Sequence, residues 1–163
     1  MTLPIRALAT GLMMMTTMPV TALEKDTTTV NIKGLLVEGP QCIVNGNDKV
    51  DVDFGDNLIT RRIDGVEYKT VIIYDMTCTG LAQQGLKLTI NGIDGFEKGL
   101  LGTGKEGLAI RLYKDDSILN VGEATTFTYG KHPTLYAVPV AKDNTKLEAG
   151  VFFGLGTMVF AYQ

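Results

Sequence analysis

The C-terminal segment places the strongest constraint on the fold. Residues 150–162 read GVFFGLGTMVFAY and contain no charged side chain. As a strand, this segment would be apolar on both faces, with Phe152, Met158, Phe160 and Tyr162 on one face and Val151, Phe153, Leu155 and Val159 on the other. An uncovered strand of this kind would pair with any other available strand. We therefore expect the fold to cover it on both sides.

The rest of the chain has the pattern of an antiparallel β fold. Short runs alternate apolar and polar residues, and the turn dipeptides Asn45-Gly46 and Asp64-Gly65 punctuate them. Helical periodicity is absent. We predict strands at residues 49–54, 66–78, 86–90, 108–112, 126–129 and 135–140. Together with the C-terminal segment they predict an all-β sandwich of about seven short strands.

The first residues are typical of a secretory signal. Arg6 is the only charge before Glu24, and residues 7–18 are mostly apolar. This run is too short for a membrane span, although a short membrane anchor is the alternative interpretation. Small residues precede a predicted cleavage after Ala22, so residues 1–22 form the signal peptide. The remaining chain has 14 basic and 18 acidic side chains, a net charge of −4, and no basic cluster. Nucleic acid and direct membrane insertion are therefore poor expectations.

The two cysteines, Cys42 and Cys78, are expected to form a disulfide. Export to an oxidising compartment favours this pairing over two free buried thiols. The bond would close a loop of 36 residues and stabilise the fold by about 4 kcal/mol on the chain-entropy model. No CxxC spacing is present, so a zinc site or a thioredoxin-type motif is not expected.

An arm precedes the first cysteine. Residues 27–37 read TTTVNIKGLLV, and alternation places Thr28, Val30, Ile32, Gly34 and Leu36 on one face. Laid along an apolar groove, this arm would supply backbone hydrogen bonds to a free sheet edge and side chains to alternate pockets. The pattern predicts β-strand addition.

These features together resemble the pilins of chaperone–usher fimbriae over essentially the whole chain. The resemblance is carried by the signal, the extension with Gly34, the cysteine spacing, the stretch VDFGDN at residues 52–57, and the C-terminus. There Tyr162 is penultimate, Phe160 is fourth from the end and Gly150 is fourteenth from the end.

The resemblance implies an incomplete immunoglobulin-like β-sandwich that a donor strand from a neighbouring subunit or a chaperone completes. It implies a donor-strand extension at residues 23–38 and a pilin domain at residues 39–163. The donor residues would be Thr28, Val30, Ile32, Gly34 and Leu36. The acceptor groove and chaperone-pairing strand would include Gly150, Phe152, Met158, Phe160 and Tyr162. Gly154 and Gly156 depart from the bulkier residues common at such places, so we expect a locally roomier groove.

The resemblance also implies the partners. A periplasmic chaperone would fill the groove first, and the next fimbrial subunit would replace it at the outer-membrane usher. The chain would then be a structural subunit of a surface fimbrium and contribute to cell adhesion; its loops favour a minor or adaptor subunit. The alternative is a single-domain adhesive tip subunit that binds a host glycan or protein.

Enzymatic chemistry and cofactors are not expected. Residues 99–105 (GLLGTGK) match the start of a P-loop, but Glu106 replaces the required Ser or Thr, so we interpret them as a loop between strands. The single histidine, His132, sits in a turn composition and is expected to be exposed. Asp51, Asp53 and Asp56 lack calcium-loop spacing, and alternation places the first two on a solvent face.

Overall fold

The computed structural model describes residues 28–36, 41–80 and 85–162. The chain divides into two compact units, Met1–Leu36 and Val37–Gln163. The described part of the first unit, residues 28–36, contains no helix or strand, and all its residues are exposed. The predicted signal peptide lies outside the described residues.

The second unit consists almost entirely of β-structure. Its strands are β1 (Gln41–Val44), β2 (Thr70–Ile72), β3 (Met76–Thr79), β4 (Gly85–Gly92), β5 (Leu101–Gly102), β6 (Leu108–Lys114), β7 (Ser117–Leu119), β8 (Ala124–Thr128), β9 (Leu135–Ala141) and β10 (Gly156–Tyr162). Two short 3₁₀ turns, Asn45–Asn47 and Thr60–Arg62, interrupt them.

All strand pairs are antiparallel and form three sheets. One sheet has the order β10-β4-β8, and a second has the order β2-β9-β6-β5, with β7 also pairing with β6. A third, two-stranded sheet joins β1 to β3, and in it Cys42 lies opposite Cys78. These two cysteines form a disulfide, as predicted.

The core lies between the two larger sheets. The period-2 pattern of β4 buries Leu86, Leu88 and Ile90 almost completely. Leu88 and Ile90 pack in one cluster with Ile110, Leu112, Leu135 and Ala137 from the facing sheet. These strands therefore confirm the sequence prediction in both position and orientation.

Three predicted strands need correction. Residues 49–54 form no strand, although their burial alternates as predicted. Residues 66–78 form two short strands, β2 and β3, which belong to different sheets. The C-terminal strand covers only Gly156–Tyr162, and residues 150–155 contain just one isolated bridge, from Gly154 to Thr103.

A turn at residues 64–68 explains why β2 begins later than the sequence pattern predicts. The Asp64 carboxylate accepts hydrogen bonds from the backbone N–H groups of Val66 and Glu67, which makes a tight turn. The bond from Glu67, followed by that from Val66, also holds the pKa of Asp64 below its ordinary value. Gly65 and Tyr68 both have positive φ, so regular β-geometry begins only at Thr70.

No helix in the described part of the chain is long and apolar enough to cross a membrane.

Candidate functional site: an apolar groove beside the C-terminal strand

Within the described part of the chain, Gly156–Ala161 of the C-terminal strand have a strand partner on one edge only. Among the described residues, β10 pairs only with β4, through seven residue pairs from Gly156↔Gly92 to Tyr162↔Leu86. The chain just before β10 is tied on the β5 side, where the Gly104 N–H donates to the Phe153 carbonyl at 3.1 Å. The other edge faces an open groove.

We call this the acceptor groove and define it by two walls and a floor. One wall is residues 48–54 and the other is residues 150–158. The floor consists of core side chains from both larger sheets: Ile72, Ile90, Leu101, Ile110, Leu112 and Ala137. These six side chains are themselves buried, each to 8% exposure or less, so the groove is an apolar gap between its two walls above a packed floor.

The groove consists of two cavities that lie end to end. The first, of about 580 Å³, is bordered by Gly154, Gly156 and Met158. The second, of about 520 Å³, extends past Leu147 and Gly150 toward Ile63. Val52, Phe54 and Phe152 line both cavities.

An aromatic pair marks the junction. Phe54 belongs to one wall and Phe152 to the other, and their ring centroids are 6.0 Å apart. This contact bridges the groove, so a chain lying in the groove would meet the least room there. We call it the Phe54–Phe152 bridge.

Two glycines next to the bridge fit tightly rather than loosely. A Cβ at Gly154 would approach the Gly102 carbonyl oxygen to 3.1 Å, and one at Gly156 would approach the Ile90 side chain to 3.2 Å. Leu101 packs beneath both positions. The expectation of extra room beneath these glycines is therefore wrong, because core side chains already fill that space.

The other face of the same wall is apolar and uncovered. Val151, Phe153 and Leu155 are 94%, 75% and 83% exposed. They alternate with the groove-facing positions, as the sequence pattern predicts, but nothing in the described residues covers them.

The proposed acceptor residues separate into two groups. Gly150, Phe152 and Met158 line the groove. Phe160 instead packs in the core, with its ring 6.0 Å from Phe127 and 6.2 Å from Tyr74. Tyr162 lies near the disulfide, its hydroxyl 3.4 Å from the Cys42 Sγ. Phe160 and Tyr162 therefore fix the position of β10, and the first residues of β10 border the groove.

Sequence reasoning did not assign the wall formed by residues 48–54. Its signal is the alternation of KVDVDF, which orients Val50, Val52 and Phe54 inward and leaves Asp51 and Asp53 exposed. That pattern was interpreted as a paired strand. Alternation reports which side chains face the core, but it does not report whether the backbone has a partner.

Of the segments weighed for other chemistry, residues 99–105 border the groove through Leu101 and Lys105. Residues 99–105 form turns and the short strand β5, followed by β6 rather than a helix. His132 is exposed, as predicted, with its ring 5.6 Å from that of Tyr129. In the part of the chain that is described, no group of three or more His, Cys, Asp or Glu side chains is placed to hold a metal ion.

No family model matches the chain. Comparison with curated proteins is informative. The Escherichia coli K12 protein YfcR, described as an uncharacterized fimbrial-like protein, is 35% identical over 130 residues, which cover 76% of this chain and 74% of YfcR. The chain belongs to the fimbrial-like protein family. A second such protein of the same strain, YfcQ, is 27% identical over 143 residues, or 82% of this chain and 86% of YfcQ.

Solved structures identify the fold. The chain matches the P pilus adaptor subunit PapF with a TM-score of 0.57 and 22% identity, over 75% of this chain and 95% of PapF. It matches the P pilus rod subunit PapA with a TM-score of 0.52 and 19% identity, over 75% and 99% of the two chains. It also matches a chain from the structure of a chaperone–usher pilus, with a TM-score of 0.54 and 16% identity, over 88% of this chain and 100% of that chain. The fold is therefore the incomplete immunoglobulin-like sandwich of these subunits, which confirms the predicted family and fold class.

Proposed function

We propose that this fimbrial-like protein is a structural subunit of a chaperone–usher fimbria and that it polymerises by donor-strand exchange. The observation that carries the proposal is the acceptor groove, an apolar opening between residues 48–54 and residues 150–158. A β-strand laid there would pair with the edge of β10 that lies opposite β4 and would cover the partly buried apolar side chains of the two walls. In this proposal, residues 28–36 of a neighbouring subunit supply the strand.

The arm has the composition that such a role requires. Val30, Ile32 and Leu36 alternate along it and are exposed in the structure, Ile32 to 91%. Burying a large apolar side chain stabilises a complex by about 1.5–3 kcal/mol, before the cost of ordering the arm is subtracted. These three side chains, together with the backbone hydrogen bonds, would make a slowly dissociating joint.

The same groove accounts for the proposed partners. A subunit with an open strand edge and exposed apolar side chains beside it would aggregate during export, so a periplasmic chaperone would cover the groove until the usher joins the next subunit. The chain would pass through the periplasm to a surface fimbrium that contributes to cell adhesion. The loops of the chain favour a minor or adaptor position in the fimbria. The fold itself does not distinguish the two, because adaptor and rod subunits share it.

A pair of charge substitutions in the arm tests this function. Ile32→Asp would place a carboxylate in an apolar pocket, whereas Asn31→Asp adds the same charge to the opposite face of the arm. Both side chains are exposed in the isolated subunit, so neither change should affect its folding. We expect Ile32→Asp to reduce incorporation into fimbriae by about tenfold or more and Asn31→Asp to leave it near the parent level.

Incorporation is measured on the full chain, exported in cells that assemble the fimbria, as the amount of subunit in sheared surface fibres relative to the periplasmic pool. Equal incorporation of the two variants would rule out the arm as the donor strand.

A further inference from the structure

Four strands each contribute one residue to an apolar row on the outer face of the sheet that contains β2, β9, β6 and β7. The register places the four side by side in the order Val71, Tyr136, Tyr113 and Ile118. Residues next to them in the chain, such as Leu112 and Leu135, belong to the core, so the alternation of each strand directs the row away from the core. Val71 and Ile118 are exposed, and the two tyrosines are half-buried. We call these four residues the tyrosine row.

Opposite charges lie on the two sides of the tyrosine row. On one side, Lys69 immediately precedes β2, and Arg111 lies two residues before Tyr113 in β6. On the other side, the turn between β6 and β7 consists of Asp115 and Asp116, which are both exposed. The outer face of this sheet therefore carries a basic side, an apolar row and an acidic side.

The basic side has no carboxylate partner among the described residues. The Lys69 ammonium lies over the tyrosine row, 4.1 Å from the centroid of the Tyr136 ring and 5.2 Å from that of Tyr113. One ion pair occurs in the part of the chain that the structure describes, and it joins Arg62 to Glu67. The cations beside the row are therefore available to carboxylates of a second molecule.

We propose that the tyrosine row joins two copies of this chain, which belong to neighbouring fibres and are related by a two-fold axis that runs along the row. The proposal rests on the proposed function, because it requires fibres of this chain. A rotation of 180° about this axis leaves the row facing itself and exchanges its two sides. Lys69 and Arg111 of each copy then face the acidic turn of the other copy.

Charge selects this axis. A two-fold axis parallel to the strands would also let the row face itself, but it would set the basic side of one copy against the basic side of the other. Repulsion between like charges opposes that arrangement. The axis along the row instead gives two matched sets of opposite charges. It also keeps the strands of the facing sheets within about 30° of each other, as in aligned sheet packing.

The size of the patch indicates a contact that needs repetition. The row crosses four strands, or about 14 Å, and the flanking residues give the patch a similar width. It would bury roughly 200–300 Å² per copy, well below the ~800 Å² per partner of a stable interface. Two free subunits would therefore not stay paired, whereas the same contact repeated along two fibres would hold them together.

The symmetry places the two copies in different fibres. A two-fold axis relates copies by rotation without any advance, whereas each subunit of a donor-strand fibre is advanced along the fibre relative to the one before it. The tyrosine row therefore predicts lateral bundling of fibres, with one contact for each pair of facing subunits.

Charge reversal in fibres of the full chain tests the contact. Lys69→Glu reverses a charge on the basic side, and Asp116→Lys reverses one on the acidic side. Asp116 is chosen because the Asp115 carboxylate accepts the Thr134 N–H at 2.9 Å and so holds the turn. Lys87→Glu is the matched control, because Lys87 is exposed on β4 of the other large sheet.

Bundling is measured on sheared, purified fibres as bundle width in electron micrographs and as the fraction that sediments at low speed. We expect Lys69→Glu and Asp116→Lys each to reduce that fraction by about tenfold, because the loss repeats at every contact. A mixture of these two kinds of fibre should bundle again, since each reversed charge then faces an opposite one. Lys87→Glu fibres should bundle like the parent. A mixture that stays single, or an equal loss in Lys87→Glu, would overturn the contact.

Photo-crosslinking tests the axis. The photoreactive residue p-benzoylphenylalanine replaces Ile118 in unlabelled fibres, which are mixed with ¹⁵N-labelled parent fibres, irradiated and analysed by mass spectrometry. The axis along the row predicts crosslinks to labelled peptide around residue 118. Crosslinks to labelled peptide around residue 71 would show an axis parallel to the strands and overturn the proposed one.

Failure of this contact is distinguishable from failure of the proposed function. Parent fibres that contain the chain but remain single would overturn the contact and leave the proposed function standing. If the chain enters no fibre, both proposals fail.

Discussion

Tyr74 connects the C-terminal strand to the core through a half-buried phenol. Its hydroxyl donates to the Pro133 carbonyl at 2.9 Å, and its ring lies 6.2 Å from that of Phe160. Burial, with a smaller contribution from Asp115, raises the pKa of Tyr74 to about 12. The folded protein therefore keeps this phenol neutral at pH values where the unfolded chain ionises it.

That difference predicts a loss of stability in alkali. The unfolded state of Tyr74 titrates near its ordinary pKa of 10.0 and the folded state near 12, so the stabilising contribution is complete below pH 10 and falls as the pH rises toward 12. Tyr74→Phe should remove this contribution, so its free energy of unfolding should decline less steeply over the same range. Urea unfolding of both chains at several pH values measures it. Parallel declines would contradict the assignment.

Single residues were predictable where a strand has one buried face. Leu86, Leu88 and Ile90 alternate with polar residues, and the structure buries all three. Gly154 was not predictable, because the space beneath it depends on Leu101 and Gly102, which come from a distant strand. A sequence pattern indicates which way a position faces, but it does not show what already occupies that side.

Among the elements, the β1–β3 sheet is the smallest and is held by a covalent bond. It has only four residue pairs, and one of them is the disulfide pair Cys42↔Cys78. A Tyr129 hydroxyl accepts the Cys78 N–H at 3.1 Å, and the Tyr162 hydroxyl lies beside Cys42. This small sheet therefore borders the end of β10.

Removing the disulfide should weaken the whole domain. The double variant Cys42→Ser/Cys78→Ser loses a constraint that typically contributes about 2–5 kcal/mol to the free energy of unfolding. Urea unfolding with and without reductant measures the loss. Reductant should destabilise the parent chain by a similar amount and leave the double variant unchanged. If the parent is equally stable in both conditions, the bond contributes little.

The bounds and partners of the strands were less predictable than the direction in which their side chains face. The pattern of residues 66–78 favours one long strand, yet β2 pairs with β9 and β3 pairs with β1. The division depends on which partners are available across the fold, and those partners lie far away in the chain. The turn at Asp64 and the positive φ of Tyr68 contribute local reasons, but only the first has a recognisable signal in the sequence.

At the scale of the whole molecule, the groove is an open space between residues 48–54 and residues 150–158, above the packed core. Its existence was predictable from the two ends of the chain, because the C-terminal strand is apolar on both faces and the arm alternates without a core of its own. The wall formed by residues 48–54 was not predictable, because these residues face the groove without joining a sheet.

Supplying the strand should therefore stabilise the domain. Residues 39–163 alone are expected to melt at low temperature or to aggregate. Fusing residues 27–37 after Gln163 through a short turn should raise the melting temperature by roughly 10 °C or more, because it buries the three apolar side chains Val30, Ile32 and Leu36. The same fusion with Ile32→Asp serves as the control. A domain that is monomeric and melts cooperatively without any added strand would show that its sandwich is already complete.

In the proposed fibre, the position of the disulfide would also matter under tension. Tension carried by the arm would enter the domain through β1, and Cys42 is the second residue of that strand. The bond to Cys78 passes this load across to β3 covalently, so β1 cannot be peeled away by breaking its hydrogen bonds in turn. At the other joint, a strand lying along β10 would be loaded parallel to its length, and its hydrogen bonds would have to fail together. Both ends of the subunit would then fail only at a force that breaks many bonds at once, which is the property that a fibre under steady tension requires.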